Sequence, residues 1–278
     1  MKPWMPLLLA LALLGACSPV ASKPDSAAQT AHSDQAAPRL PEFSAPSAAE
    51  AEAAALGYTP ASAKQTLYFT VGGRPAEQAA AGGFYREILG RTADGRLVVQ
   101  DFYQDIAKRQ TAPFVLSAGA EPKDFSTDVM DSKGVWYRPD GSLFYLQDYR
   151  NGKETGPATY YQDGLPLMQT HNMGSRSLFF YNDGKLMAEL LVKNPESADI
   201  EQTLTLFRTD GSAILRVLTR GSEAVSTEAW DAAGQAAPME ATRMESTPLL
   251  DRVEELQTNF AHTVNFVMGE PEAASPAR

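Results

Sequence analysis

Apolar residues recur at every second position through much of the middle of the chain, which is the pattern of half-buried strands. Between 66 and 71 the apolar side chains fall on alternate residues, and Gly72 follows them. Two more apolar runs, 84–89 and 96–103, flank Asp94-Gly95, a dipeptide typical of tight hairpin turns. The pattern therefore predicts antiparallel strands joined by short turns.

One phrase recurs through the second half of the chain, with an aromatic residue, an aspartate and a glycine at fixed places. Its copies read GVWYRPDGSL, ATYYQDGLPL, LFFYNDGKLM, LTLFRTDGSAI and, in decayed form, TEAWDAAGQ. Asp-Gly suits a turn because glycine adopts positive φ without a clash at Cβ. We expect Asn151-Gly152 to form a turn at the opposite edge, so that each period holds two strands and two turns.

A fixed offset from a turn places side chains on one face of a sheet. The residue four places before each repeat glycine is aromatic, which predicts a core stripe of Tyr137, Tyr160, Phe180, Phe207 and Trp230. The opposite face should carry the residues three places before the glycines, here called the ladder: Arg138, Tyr161, Tyr181 and Arg208. Arginine and aromatic groups are enriched at binding surfaces, so the ladder is a candidate partner-binding surface. The alternatives are cross-strand pairing that only stabilises the sheet, and burial under a terminal helix.

The segment DYRNGKETGPATYYQDG, from Asp148 to Gly164, resembles the variant MORN repeats of YwqK-like antitoxin proteins. Weaker matches lie at 174–185 and 203–212. The resemblance implies an antiparallel meander of hairpins. It implies little about activity, because such a repeat is a scaffold with many uses.

Two helices are expected outside the strands. Ser47 and Glu50 have the spacing of a capping box, which predicts a short helix from there to Leu56. Near the end of the chain, Thr247 and Pro248 suit the cap and first position of a second helix. Its apolar positions fall three or four residues apart on one face: Leu249, Val253, Leu256, Phe260, Val264 and Val267. We expect this amphipathic helix to pack on the sheet, with docking on a partner as the alternative.

The first residues have the parts of a secretory signal, namely a basic start at Lys2 and an apolar run from Leu7 to Leu14. The run is too short to span a bilayer as a helix. Leu14-Gly15-Ala16-Cys17 resembles the lipobox of bacterial lipoproteins. That resemblance implies cleavage before Cys17, lipidation of Cys17, which is the single cysteine of the chain, and, from Ser18, delivery to the outer membrane. The alternative is an ordinary signal peptide in which Cys17 is an unmodified thiol.

These features divide the chain into six parts. The predicted boundaries are 1–16 for the signal peptide, 17–46 for the lipidated cysteine and a flexible Ala/Ser/Pro tether, 47–130 for a helix and N-terminal hairpins, 131–240 for the hairpin-repeat sheet, 241–269 for the amphipathic helix and 270–278 for a disordered tail. The fold class is mainly β, an antiparallel meander of repeated hairpins with a short N-terminal and a longer C-terminal helix.

Composition narrows the range of functions. The net charge of −10 argues against nucleic acid as a partner, since that needs a basic surface. The sequence predicts no catalytic residues, no metal site and no cofactor. None of the histidines His32, His171 and His262 has a partner at metal-ligand spacing, and His171 is expected in a solvated turn. The repeated turn aspartates supply one carboxylate per turn, whereas a calcium loop needs several.

Three functions remain in competition. The first is a non-enzymatic, lipid-anchored interaction or scaffold protein of the outer membrane with a protein partner in the cell envelope. The second is an immunity-type lipoprotein that neutralises a toxin, which the antitoxin resemblance and the acidic charge both allow. The third is an envelope hydrolase whose site forms only in the fold.

Overall fold

The computed structural model describes residues 46–268, apart from 172–173, 196 and 198. It confirms a mainly β fold built of antiparallel meanders, with a short helix before the strands and a long helix after them. The helices are α1 (Pro46–Ala54) and α2 (Met239–Met268). The strands are β1 (Thr59–Phe69), β2 (Pro75–Ala76), β3 (Phe84–Arg91), β4 (Leu97–Tyr103), β5 (Phe114–Val115), β6 (Lys133–Tyr137), β7 (Leu143–Arg150), β8 (Lys153–Gln162), β9 (Leu165–His171), β10 (Arg176–Phe180), β11 (Leu186–Lys193), β12 (Glu201–Phe207), β13 (Ala213–Arg220) and β14 (Glu223–Ala229).

The strands form two sheets. The first has five strands in the order β2-β1-β3-β4-β5, and the second is a nine-stranded meander running from β6 to β14 in chain order. An isolated bridge between Thr111 and Trp136 extends the first unit onto the edge of β6. The hydrophobic core is continuous across the junction, since Val99 and Phe114 of the first sheet share a cluster with Trp136.

Six turns share the same three-residue form. In each, the residue before the turn donates its backbone N–H to the carbonyl of the residue after it, and the turn ends on a glycine of positive φ. The turns are 71–73, 93–95, 139–141, 182–184, 209–211 and 232–234. The predicted turns at Gly95 and at the repeat glycines are confirmed, and so is Asn151-Gly152, whose φ values are 50° and 73°.

A β-bulge follows the turn in four repeats and adds one side chain to the core. The extra residues are Phe144, Leu167, Met187 and Ile214, each between two paired positions of its strand. All four are buried in the largest hydrophobic cluster, on the face that α2 covers. A bulge thus lets a strand place two neighbouring residues on nearly the same side.

Helix α2 lies across the nine-stranded sheet. Thirty residues make a helix about 45 Å long, and nine strands about 4.8 Å apart are about 38 Å wide. The helix contacts β11 to β14, and its Phe260 ring lies 5.8 Å from Tyr145 and 5.5 Å from Tyr160. At its far end, the buried Gln110 side chain donates to the carbonyl of Val267. The prediction that this helix packs on its own sheet is confirmed.

The expected start of α2 at Thr247 and Pro248 is wrong, because the helix already begins at Met239 and includes Pro248. A proline inside a helix removes one hydrogen bond to the carbonyl four residues earlier. Here that carbonyl belongs to Met244, whose side chain is 90% exposed, so water is available to it. Among the described residues, no helix has the length and the apolar content to cross a membrane.

Candidate functional site

The ladder residues sit beside the repeat turns, where the structure departs from the sequence pattern in one hairpin. At Asp163-Gly164 the turn has two residues, because Gln162 pairs directly with Leu165. Both turn residues have positive φ, 53° and 77°. The other repeat turns have three residues. A residue counted back from the glycine therefore lies one position further from the turn in this hairpin than in the others.

Because this turn is one residue shorter, Tyr160 and Tyr161 lie on the faces opposite to those that their distance from the glycine predicts. Tyr161, not Tyr160, takes the place that Tyr137, Phe180 and Phe207 have in their hairpins, each paired two residues beyond the glycine. Tyr160 instead lies under α2, in the same cluster as Phe260. Tyr160 is thus buried in the core as predicted, but the prediction that it shares a face with Tyr137, Phe180 and Phe207 is wrong.

The ladder does not share one face. Arg138 lies on the α2 side, with its guanidinium carbon 5.1 Å from the Phe144 ring and 5.6 Å from the Tyr160 ring. Tyr181 and Arg208 are on that side too, since Tyr181 packs against the main cluster and Arg208 pairs with Glu245 of α2. Tyr161 faces the other way and is 1% exposed. The expectation of one row on the face opposite the aromatic stripe is thus wrong for Tyr161.

Arg138, Tyr181 and Arg208 hold neighbouring hairpins together. Arg138 donates from Nη1 to the carbonyl of Leu143 in its own hairpin at 2.8 Å, and from Nη2 to the carbonyl of Tyr161 in the next at 2.7 Å. Arg208 repeats this arrangement with the carbonyls of Ala213 and Trp230, both at 2.8 Å.

Two tyrosines make the same link with one hydrogen bond each. The Tyr181 hydroxyl donates to the Phe207 carbonyl at 2.7 Å, and the Tyr103 hydroxyl donates to the Tyr137 carbonyl at 2.7 Å. In each of the four links, the acceptor in the next hairpin is the carbonyl of the aromatic residue that stands two places before the turn. We call these four side chains, Tyr103, Arg138, Tyr181 and Arg208, the hairpin clasps. Tyr103 was not identified from the sequence, because its own turn lacks the repeat phrase.

The hydroxyl and guanidinium groups of the clasps donate to carbonyls of their own chain, and a partner would have to compete with these hydrogen bonds. Arg208 also donates from Nε and Nη2 to the Glu245 carboxylate at 2.7 and 2.8 Å, which ties α2 to the sheet. Burial, together with the charge of Glu245, raises the pKa of Tyr181, and burial raises the pKa of Tyr161. The geometry supports the stabilising alternative for these residues, and a partner-binding role for them stays a prediction.

The turn aspartates cap their own turns. The carboxylates of Asp140, Asp183 and Asp210 each accept the backbone N–H two residues later, at 2.8, 3.1 and 2.9 Å. The Ser142 hydroxyl and backbone lower the pKa of Asp140, and the Ser212 backbone and hydroxyl do the same for Asp210. Within the described ranges, no three His, Cys, Asp or Glu residues are grouped as metal ligands.

His171 is not in a solvated turn as expected. It is the last residue of β9, half-buried, with Nε2 2.9 Å from Oε1 of Gln169. Burial, and then the charge of Arg176, lower its pKa below 6.5. The lowered pKa favours the neutral imidazole, which can share a hydrogen bond with the Gln169 side chain.

The face of the nine-stranded sheet opposite α2, here called the open face, carries a polar row that sequence reasoning missed. The paired positions that form it are polar apart from Leu178, and they are Thr159, Gln169, Leu178, Glu189, Thr205, Arg216 and Glu228. Gln169 donates to Thr159 at 3.0 Å, and Arg176 pairs with Glu189 at 2.6 Å. Beyond this row, Lys193 and Arg220 both pair with Glu201, at 2.7 and 3.4 Å. The signal was present in the sequence as polar residues at alternate positions of β8 to β13.

A shallow depression lies at the opposite end of the sheet, near the Asn151-Gly152 turn. Asp131, Lys133, Asp148 and Arg150 are among its lining residues, and the Lys133 ammonium pairs with the Asp148 carboxylate at 2.7 Å. Opposite charges are thus already matched within the depression, and nothing in its geometry points to one reaction.

Cys17, the predicted lipidation site, lies outside the described residues, as do His32, the predicted tether and the predicted tail from 270 to 278. Comparison of the chain with known proteins adds no assignment. No protein-family model matches it, and no curated protein matches it significantly.

Proposed function

We propose that this chain is a lipid-anchored interaction protein of the bacterial outer membrane, with Cys17 as the residue that carries the lipid. The proposal depends on one observation, the sequence Leu14-Gly15-Ala16-Cys17 directly after an apolar run of signal-peptide length. Each buried lipid methylene contributes about 0.8 kcal/mol, and stable anchoring needs two or more chains. An acylated cysteine of the lipoprotein type supplies them.

The described body is suited to present a surface rather than to enclose a substrate. Its sheet is held by the clasps and by α2, so the backbone of the open face has little freedom to lose when a partner binds. That face offers cations and anions side by side, with Lys193, Arg220 and Glu201 at one end. Complementary charge steers association and selects partners. We infer that a protein partner in the cell envelope docks there.

Lipid labelling tests the anchor. Cys17→Ala should abolish incorporation of labelled fatty acid and move the body out of the membrane fraction, whereas Ser18→Ala should leave both unchanged. Labelled lipid on the Cys17→Ala protein would show that the anchor is assigned to the wrong residue.

Charge reversal tests the binding surface. Arg220→Glu should weaken capture of an envelope partner several-fold, because Arg220 is exposed and pairs only weakly with Glu201. Arg243→Glu is the matched control, since Arg243 is similarly exposed but lies on α2. Equal capture by the two variants would exclude this part of the open face.

An immunity-type role is the second candidate, and the net charge of −10 is the observation that favours it. Many toxins are basic, and an acidic inhibitor gains association rate from that difference. A basic toxin as the captured partner, with protection of cells that express the chain, would select this role over a general scaffold.

A further inference from the structure

The open face carries an apolar strip, here called the Phe180 strip, formed by Leu178, Phe180, Leu186 and Phe207, with Ala213 beside them. These side chains lie on strands β10 to β13 and alternate with those that contact α2. Leu178 and Phe180 are each 1% exposed, and Leu186 and Phe207 are each 8% exposed. Neighbouring strands alone do not shield an aromatic ring on the outside of a sheet, so this burial needs a cover.

Helix α1 covers another part of the open face, at β6 and β8. Its Ala53 is 2% exposed and shares a cluster with Tyr137 of β6 and Tyr161 of β8. Its acidic residues fix it there, since Glu50 pairs with Arg109 at 3.1 Å and Glu52 with Lys133 at 3.6 Å. The strongest packing of α1 is against β6, so among the described elements this helix accounts for the cover of Tyr137 and Tyr161 but not for the Phe180 strip.

We propose that residues 38–45, which directly precede α1, dock on the Phe180 strip. This segment reads PRLPEFSA, and Leu40 and Phe43 are its large apolar residues. From Ser18 to Ala45 the only other large aliphatic or aromatic residue is Val20. Burial of apolar surface is the main force for such docking, and α1 holds the segment on the same face of the sheet as the strip.

The reach of the segment matches the spacing of the strip. Tyr161 on β8, Phe180 on β10 and Phe207 on β12 stand on alternate strands of the sheet, and strands two apart are separated by about 10 Å. An extended chain spans at most about 3.3–3.6 Å per residue. From Pro46, three residues therefore bring Phe43 about 10 Å onward, and six residues bring Leu40 about 20 Å onward. Counted from Tyr161, which α1 covers, these reaches extend to Phe180 and then to Phe207.

The proposal does not depend on the lipid anchor, but it changes the length of the predicted tether and the point at which it leaves the body. The free linker would end near 37 rather than at 46, and the chain would leave the body at the open face. The membrane attachment and the polar row would then lie on the same side of the sheet.

Single substitutions in the purified full chain test the docking. Phe43→Ser and Leu40→Ser should each lower the thermal midpoint, by roughly 3–10 °C for loss of one buried large side chain in a domain of this size. Val20→Ser is the matched control and should leave the midpoint within about 1 °C. If Phe43→Ser and Leu40→Ser behave like Val20→Ser, the segment does not cover the strip.

A photocrosslinker identifies what the segment touches. Benzoylphenylalanine in place of Phe43 should crosslink within one molecule, to peptides that contain Phe180 or Phe207, at a yield independent of protein concentration. Crosslinks between two copies would assign the cover to a second copy of the chain. Crosslinks to other peptides, or none, would equally overturn the proposal.

Discussion

Replacing Arg208 by methionine is the sharpest test of the clasps. The Arg208 side chain is 11% exposed, and methionine keeps much of its apolar stem while removing the guanidinium that donates to the carbonyls of Ala213 and Trp230. A hydrogen bond to a charged group contributes about 1.5–3 kcal/mol, whereas a half-exposed ion pair such as that with Glu245 contributes less than about 1 kcal/mol. With two such bonds lost and partial hydration regained, we expect a decrease of about 3 kcal/mol in the free energy of unfolding.

Urea denaturation followed by circular dichroism measures this decrease. The midpoint should fall while the dependence on urea concentration stays unchanged, since the surface exposed on unfolding is the same. Tyr181→Phe removes one neutral hydrogen bond and should cost about 1 kcal/mol. Arg243→Met, which removes an exposed arginine of α2, should cost less than about 0.5 kcal/mol.

The order of the three variants carries the test. A cost for Arg208→Met no larger than that for Arg243→Met would refute the clasp. Unchanged stability together with a several-fold loss of partner capture would instead return Arg208 to the binding surface that its sequence position suggested.

Two further predictions concern the Asn151-Gly152 turn. Gly152→Ala should destabilise the protein clearly more than Gly164→Ala although both residues have positive φ, because a Cβ at Gly152 would lie 1.8 Å from the Asp128 carbonyl oxygen whereas Gly164 has open space around it; equal midpoints in thermal denaturation would contradict this contact. Burial and the charge of Asp128 raise the pKa of Glu154 above 4.5, so the fold favours the protonated form and this residue lowers stability as the pH rises through that range. Glu154→Gln should therefore be more stable than the wild type at pH 7 and lose this advantage near pH 4; an advantage that grows in acid would reverse the assignment.

The sequence predicted the fold class because hairpin turns and strand alternation are local signals. The same locality explains where it failed. Offsets from a glycine define a face only while the turns have equal length, and the missing residue at Asp163-Gly164 reverses Tyr160 and Tyr161. No local pattern distinguishes that turn, since Asp-Gly stands in both kinds.

The role of the ladder could not be read from residue types alone. An arginine three places before a turn glycine is equally consistent with an exposed binding group and with a donor to the next hairpin. The choice depends on whether a carbonyl of the neighbouring repeat lies within reach, as that of Tyr161 does for Arg138. That is a property of strand register and twist, which the sequence leaves open. The early start of α2 was missed for a related reason, because Pro248 suits a first position equally well.

The course of α2 across the sheet has a consequence for how the protein folds. A meander in which each hairpin touches only its neighbours behaves as a one-dimensional array, and its ends can unravel independently of its middle. Helix α2 contacts β11 to β14, places Phe260 against β7 and β8, and reaches Gln110 beside the first sheet. It therefore joins distant hairpins into one cooperative unit. Because α2 follows all the strands in chain order, the sheet stays uncovered on that face until the helix has been synthesised and closes over it.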